Sequence, residues 1–401
     1  MNACGRGGSN QLSFRQSSSS LSVTVYGLST EGYRIASSIA LKGLKVSLID
    51  ESARVAIALK PDIARNYPNV NSLIDDESLL NLEPVDIAIS TASYIFFAPK
   101  IRKIGQDVKS DVMSKFRDAI KTLRKGSSFV YTLPTGIGGN DENIALIEHL
   151  TGMRVGSDIN YYYIPIFSSG SSSRDLLVGS IQSKQDAQME RLLLDQDTDM
   201  KVNFVDVLSA EFAHSIRILG HYAGLASILE VCKQVNDVRI SNELMSNPLR
   251  NIYLDEVADG LYDLRAIAAS LGGAGPLMYL VNGTIKGTEG YIKHLIDEVR
   301  DVLKKRDLKA SRTKVVIKWK LDLNEMRGDK LDLLLSLESK LKDYIGDVEL
   351  HNGPSIDLYP NDKTIIIITC SKEDHAKLEA EGIVNSECII MKANPVCEIV
   401  G

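Results

Sequence analysis

From residue 22 to about residue 200, short β-branched runs ("SVTVYG", "KVSLID", "VDIAIST", "SSFVYTL" and "DLLVGSI") alternate with segments whose apolar positions recur at helical spacing. Alternation of this kind predicts a parallel sheet covered by helices on both faces. From Val205 to about Lys305 the pattern changes. The stretch "SAEFAHSIRILGHYAGLASILEVCKQV" is strongly apolar, free of proline and too long for a strand, so it reads as helix. Alternation resumes with "RTKVVIKWK", a helical "KLDLLLSLESKLKDYIG", a short "VELHN", the very apolar "KTIIIITC" and a final "CIIMKA". The fold class is therefore α/β. An N-terminal Rossmann-like parallel sheet is expected over 22–204, an all-helical central region over 205–305 and a smaller C-terminal α/β Rossmann-like domain over 306–401. Residues 1–21, rich in Ser and Gly and without the apolar core of a signal peptide, read as a disordered tail.

Composition narrows the function classes. A chain of 401 residues, 44% of them hydrophobic, is large enough for two or three domains. The net charge of -6 is spread along the sequence, which argues against a nucleic-acid binder and gives no sign of a membrane-surface protein. No apolar run approaches the roughly 20 residues that span a bilayer. The five cysteines are scattered, with no C-x-x-C pair and no zinc spacing, so a reduced, cytoplasmic compartment without a bound metal is expected.

One stretch carries the chemistry. In "VYGLSTEGYRIASSIALKGLKVSLID" (25–50), a strand is followed by a glycine turn, a helix, a second strand and an acid, in the order of a dinucleotide site. Gly27 would permit the tight bend and Gly32 the close packing of helix on strand, and Ser29 stands where a second glycine would let the backbone approach a pyrophosphate. Asp50, at the end of the second strand, is placed to bind ribose hydroxyls and to repel a 2′-phosphate, favouring NAD over NADP. The Cβ of Ser29 and the charge of Glu31 count against a bound pyrophosphate. The alternative is a plain strand-to-helix turn whose glycines serve packing.

The order of segments resembles the UDP-glucose/GDP-mannose dehydrogenase family. "VYGLSTEG" is similar to that family's glycine turn, "IST" ending at Thr91 to its Val-Pro-Thr stretch, and "TLPTG" with Thr132 to its Ser-Thr-Val-Pro-Pro-Gly stretch. "SAEFAHSIRILGHYAGLASILE" matches its opening Ala-Glu at Ala210 and Glu211, "YDLR" gives Asp263 and Arg265, and "KLDLNEMR" gives Lys320, Asp322 and Arg327 at the family's spacing.

The resemblance implies an N-terminal NAD domain, a central helical dimer region and a C-terminal nucleotide-sugar domain. It also implies oxidation of a sugar primary alcohol to a carboxylate, with NAD bound by Gly27, Ser29, Gly32, Asp50, Thr91 and Thr132. Lys320 and Arg327 would contact a UDP-sugar, and the partner would be a second copy of the chain. That chemistry requires a thiolate to attack the aldehyde. Here Gly272 and Gly273 are followed by Ala274 and Gly275, with no cysteine. The family's helix lysine and asparagine are His214 and Ile218, its Lys-Asp pair is Met278 and Tyr279, and a glutamate is replaced by Val130. His214 is the candidate general base for any two-electron oxidation that remains, or an ordinary helix histidine. The rival from another class is a non-catalytic nucleotide-binding scaffold or regulatory partner of an active paralogue.

Overall fold

The structure is a computed structural model, and it describes residues 21–76, 81–101, 107–166, 175–182, 184–194, 201–232, 252–273, 275–353, 363–381 and 388–393. Apart from Leu21, the stretch read as a disordered tail lies outside the described residues. The first half runs β1 (Ser22–Tyr26), α1 (Thr30–Leu41), β2 (Lys45–Asp50), β3 (Val55–Leu59), α2 (Pro61–Asn66), α3 (Val70–Asp75), β4 (Leu82–Pro84), α4 (Val85–Thr91), β5 (Tyr94–Phe97), α5 (Asp107–Ile120), β6 (Ser128–Tyr131), α6 (Gly139–Thr151), β7 (Asn160–Tyr163), β8 (Asp175–Ser180), α7 (Ala187–Leu193) and β9 (Lys201–Val205). Among the described residues, the helices α8 (Val207–Cys232), α9 (Leu254–Ala258), α10 (Leu261–Ser270) and α11 (Pro276–Lys305) follow. The chain then continues through β10 (Thr313–Lys318), α12 (Asp329–Lys342), β11 (Val348–His351), β12 (Thr364–Thr369), α13 (Lys372–Ala380) and β13 (Cys388–Lys392).

The first sheet has the order β4-β3-β2-β1-β5-β6-β7-β8-β9. Strand β1 pairs in parallel with both β2 and β5, and β6 and β7 extend the parallel run. Antiparallel strands border this parallel run on both sides. Strand β3 folds back antiparallel on β2 through a short turn at residues 51–54, β4 is antiparallel to β3, and β8 is antiparallel to β7. The second sheet, β11-β10-β12-β13, is parallel throughout.

A correction concerns "VDIAIST", read as a strand from its sequence. It forms helix α4, which follows Pro84 and buries Ala88 and Ile89, and the strand is the next apolar run, "YIFF". A short continuous β-branched run does not distinguish buried strand from helix by its period. Aromatic packing favours the second run, because Phe97 stacks on Tyr26 and Tyr131 and meets Phe116 edge-on.

The helices share their cores with the sheets. Leu254 of α9 and Tyr291 and Leu295 of α11 pack into one core with Val315, Ile317, Trp319 and Leu337 around the second sheet. Met326, which follows β10, is instead wholly buried in the core of the first sheet. The segment between β10 and α12 therefore crosses from one sheet's unit to the other. Among the described residues, no helix is long and apolar enough to cross a membrane.

Candidate functional site

The strand order of the first sheet reverses at β1, where β2 lies on one side and β5 on the other. In open α/β sheets the crevice beyond the strand ends at such a point is the usual ligand seat. The glycine turn and the N-terminus of α1 lie there. Gly27 has φ +126°, and a Cβ on it would come within 2.1 Å of the Ala98 carbonyl oxygen. A Cβ on Gly32 would come within 2.3 Å of the Gly27 carbonyl oxygen. Both glycines are thus required by the packing of β1, α1 and the end of β5, whether or not a ligand binds.

Ser29 is fully buried and caps α1: its Oγ accepts from the Gly32 N–H at 2.9 Å and donates to the Ala98 carbonyl at 2.7 Å. The hydroxyl is held inside the protein, joining helix to strand. Thr132, just past β6, is also buried and donates to the Phe97 carbonyl at 2.5 Å. Asp50 at the tip of β2 accepts from Ser52 and Ala53 and so shapes its own turn. The acid directed at the glycine turn is its neighbour Glu51, whose carboxylate accepts from Leu28 N–H at 3.0 Å and Lys100 N–H at 2.8 Å. Glu51 stands one residue past the Asp50 singled out by the 20-residue spacing.

Thr91 does not join this group. It ends α4, is exposed, and donates to Ile87 within its own helix, while its carbonyl accepts from Ser22 at the start of β1. That is the end of the sheet opposite the glycine turn, apart from Gly27, Ser29 and Gly32. Lys320 is likewise apart: it is exposed just after β10, with its N–H donating to Asp374.

The donors of the glycine turn meet a segment of the chain itself. The Thr30 N–H donates to the Asn324 carbonyl at 2.7 Å, and the Thr30 hydroxyl to Asp322 at 2.5 Å. Glu31, 8% exposed, accepts from the Met326 N–H at 2.8 Å, and the Met326 carbonyl accepts from the Ile101 N–H at 2.8 Å. Lys100 Nζ donates to Asn324 Oδ1 at 2.5 Å. Residues 322–326 therefore lie where the strand ends leave a crevice.

The next residue, Arg327, leads to a buried charge cluster. Its guanidinium is 3.0 Å from Asp263 of α10 and also donates to the carbonyls of Asp259 and Ile166. On the other side of Asp263, His214 of α8 comes within 3.7 Å. The structure thus brings together His214, Asp263 and Arg327, with side chains only 5%, 1% and 7% exposed. Farther out, Lys330 lies among Asp255, Asp259 and Glu325. Burial pushes the Glu325 carboxyl up to about 7 against the pull of Lys330. Burial also takes Asp329 up to about 7, outweighing Arg265 and Arg327 beside it.

A second helix N-terminus at this edge is closed in the same manner. Glu211 of α8, 1% exposed, accepts from the N–H groups of Gly138 at 2.6 Å and Asn140 at 2.8 Å, at the start of α6. The open space lies beside these contacts. A cavity of about 500 Å³ between α5, α6, α10 and the start of α12 is lined by Tyr131, Thr135, Asn143, Tyr262, Arg265 and Asp329, among others. Among the described residues no thiol lines it, and the two cysteines whose side chains are described, Cys370 and Cys388, are buried in the second sheet's unit.

Neither a protein-family model nor a curated protein sequence matches the chain. Solved structures do. The chain is similar to UDP-D-ManNAc dehydrogenase from Pyrococcus horikoshii, with a TM-score of 0.64 and 14% identity over 95% of this chain and 97% of that one. It is similar to the UDP-N-acetyl-mannosamine dehydrogenase of Staphylococcus aureus, with a TM-score of 0.58 and 14% identity over 94% of this chain and 95% of that one. A UDP-glucose dehydrogenase from Pyrobaculum islandicum matches with a TM-score of 0.57 and 13% identity, over 94% of this chain and 87% of that one. With a first sheet that reverses at the glycine turn, long helices and a second parallel sheet, matched over nearly their whole length, the chain has the fold of the UDP-sugar dehydrogenases.

Proposed function

We propose that this chain is a dehydrogenase-like binding protein that takes NAD at the glycine turn and a nucleotide-linked sugar nearby, and that it does not perform the four-electron oxidation. The observation that carries the binding half is the reversal of strand order at β1, with the N-terminus of α1 and the acidic tip of β2 in the same crevice. Asp50 and Glu51 together make that tip negative, which favours NAD over a 2′-phosphorylated cofactor. NAD, when bound, would supply only the acceptor for a hydride. The chain's own residues would hold the ribose at the β2 tip and the phosphates at α1.

The catalytic half rests on what surrounds the crevice. An aldehyde cannot be carried to a carboxylate by the thiohemiacetal route without a thiolate, and Gly272 and Gly273 are not followed by cysteine. His214 is enclosed beside Asp263 and Arg327 and lacks the access to a substrate proton that a general base needs. The cluster instead ties α8, α10 and the segment just before α12 together. This favours the non-catalytic reading over a two-electron oxidoreductase.

The chain also works as a homodimer in this reading. Along α8, Leu208, Phe212 and Ile216 are exposed by 47%, 43% and 70%, and Gly220 and Gly224 continue the same stripe with open space above them. A second copy of the helix would cover that face.

Two measurements test the proposal. Incubation with NAD and UDP-glucose, followed at the NADH absorption band, is expected to show no reduction; two NADH per sugar would overturn the non-oxidising reading. Saturation-transfer NMR, which detects weak ligands, is expected to show NAD contacting the protein, and no transfer would remove the cofactor from the proposal.

A further inference from the structure

Three backbone donors at the glycine turn face internal acceptors: Leu28 N–H is held by Glu51, Thr30 N–H by Asn324 and Gly32 N–H by Ser29. A pyrophosphate seated at this helix N-terminus requires donors of this kind. The segment that takes the Thr30 donor is shaped in advance. Asp322 Oδ1 accepts from the Asn324 N–H at 2.8 Å and the Asp322 carbonyl from the Glu325 N–H at 3.2 Å, giving a turn that presents the Asn324 carbonyl and the second carboxylate oxygen toward Thr30. Beyond it, Met326 fills the core at the strand ends, near the Thr132 hydroxyl.

We propose that residues 322–327 are a built-in competitor for the dinucleotide, so that NAD enters only when this segment withdraws from the glycine turn. The proposal rests on the dinucleotide reading of that turn. It accounts for Glu31, whose negative charge is out of place beside a pyrophosphate and complementary to the Met326 N–H it accepts. It also accounts for Lys100, which at the end of β5 is positioned to meet a phosphate and here meets Asn324. Two oxygens of the segment, the Asn324 carbonyl and an Asp322 carboxylate oxygen, reach Thr30 as phosphate oxygens would. The segment is tethered on the side of the second sheet, where Trp319 donates to Asp255 at 2.8 Å. Withdrawal therefore amounts to parting the second sheet's unit from the crevice, and the His214–Asp263–Arg327 cluster opposes it.

The test compares NAD affinity, by calorimetry, in the wild type, Asp322→Ala and Asn324→Ala. These variants remove the segment's side-chain contacts to Thr30 and to Lys100 while leaving the residues of the seat unchanged, so that a folding defect in one leaves the other to decide; thermal unfolding confirms the fold. Apparent affinity falls in proportion to the competent fraction, so a variant that raises the open fraction tenfold binds NAD about tenfold more tightly. Trp319, the single tryptophan, lies three residues before Asp322 and reports the displacement. Its emission is expected to shift as NAD binds the wild type. Tighter binding by the variants together with that shift supports the competitor. Equal NAD affinity in all three proteins keeps the dinucleotide reading and overturns the competitor. No binding by any of them overturns the dinucleotide reading, and the competitor with it.

Discussion

Arg327 and Asp263 meet at 3.0 Å with both side chains almost completely buried. Removing one member of such a pair leaves an uncompensated charge in the interior, at a cost of about 3–5 kcal/mol. Arg327→Met is expected to destabilise the chain by that order, and the double variant Arg327→Met with Asp263→Leu to recover part of it, in urea unfolding. A single variant as stable as the wild type would show that the pair does not hold the elements together.

The two acids at the tip of β2 are expected to differ. Glu51→Ala leaves the Leu28 and Lys100 N–H groups without their acceptor, a loss of about 1–3 kcal/mol. Asp50→Ala affects only the turn at Ser52 and Ala53 and should lower the melting temperature less. The reverse order would put Asp50 back in the central role.

Stability should fall as pH rises toward neutrality. Glu325 and Asp329 are both raised to about 7 in the folded chain, from ordinary values of 4.5 and 3.8. Groups with raised values bind protons more tightly when folded. Their contribution is complete below the unfolded values and is lost as pH rises through about 7. Glu325→Gln and Asp329→Asn should each flatten the melting-temperature profile across that window. Profiles parallel to the wild type would exclude these carboxyls as its cause.

Gly27 tolerates no side chain. Gly27→Ala combines a φ of +126° with a contact of 2.1 Å to the Ala98 carbonyl oxygen. The backbone conformation alone costs about 1–3 kcal/mol. Ser29→Gly, by contrast, removes a cap for which glycine is a fair substitute, so a loss of only a few tenths of a kcal/mol is expected from capping. Circular dichroism melts of the two variants would rank them.

The α8 face is tested by charge. Ile216→Glu places a carboxylate at a side chain that is 70% exposed in one chain, so the fold should persist while self-association is lost. Light scattering on the eluting peak would read the mass. A wild type that runs as a monomer would remove the dimer from the proposal, and a variant that remains a dimer would move the interface elsewhere.

Periodicity and local chemistry determined much of this molecule. The β-branched run of β1, the proline-free apolar stretch that became α8, and the isoleucine run of β12 each fix their element from neighbouring residues, because helix and strand have different periods. The glycine turn was legible for the same reason, since Gly27 and Gly32 stand at positions where no Cβ fits. The run "VDIAIST" was not, because a short continuous apolar segment suits either state and only the aromatic packing of Phe97 places the strand after it. Spacing also placed Asp263 and Arg327 on separate motifs 64 residues apart, and folding alone joined them to each other and to His214. The closure of the glycine turn by Asn324 and Met326 lay further beyond reach, since each bond involves a backbone donor and a partner nearly 300 residues away, the Asn324 carbonyl for Thr30 and the Glu31 carboxylate for Met326, and backbone donors carry no signature in the side chains. Local sequence determined which residues could make a dinucleotide seat; the packing of the second sheet's unit against the first decided that the chain's own segment lies in it, because only tertiary structure brings such distant donors and acceptors within bonding distance.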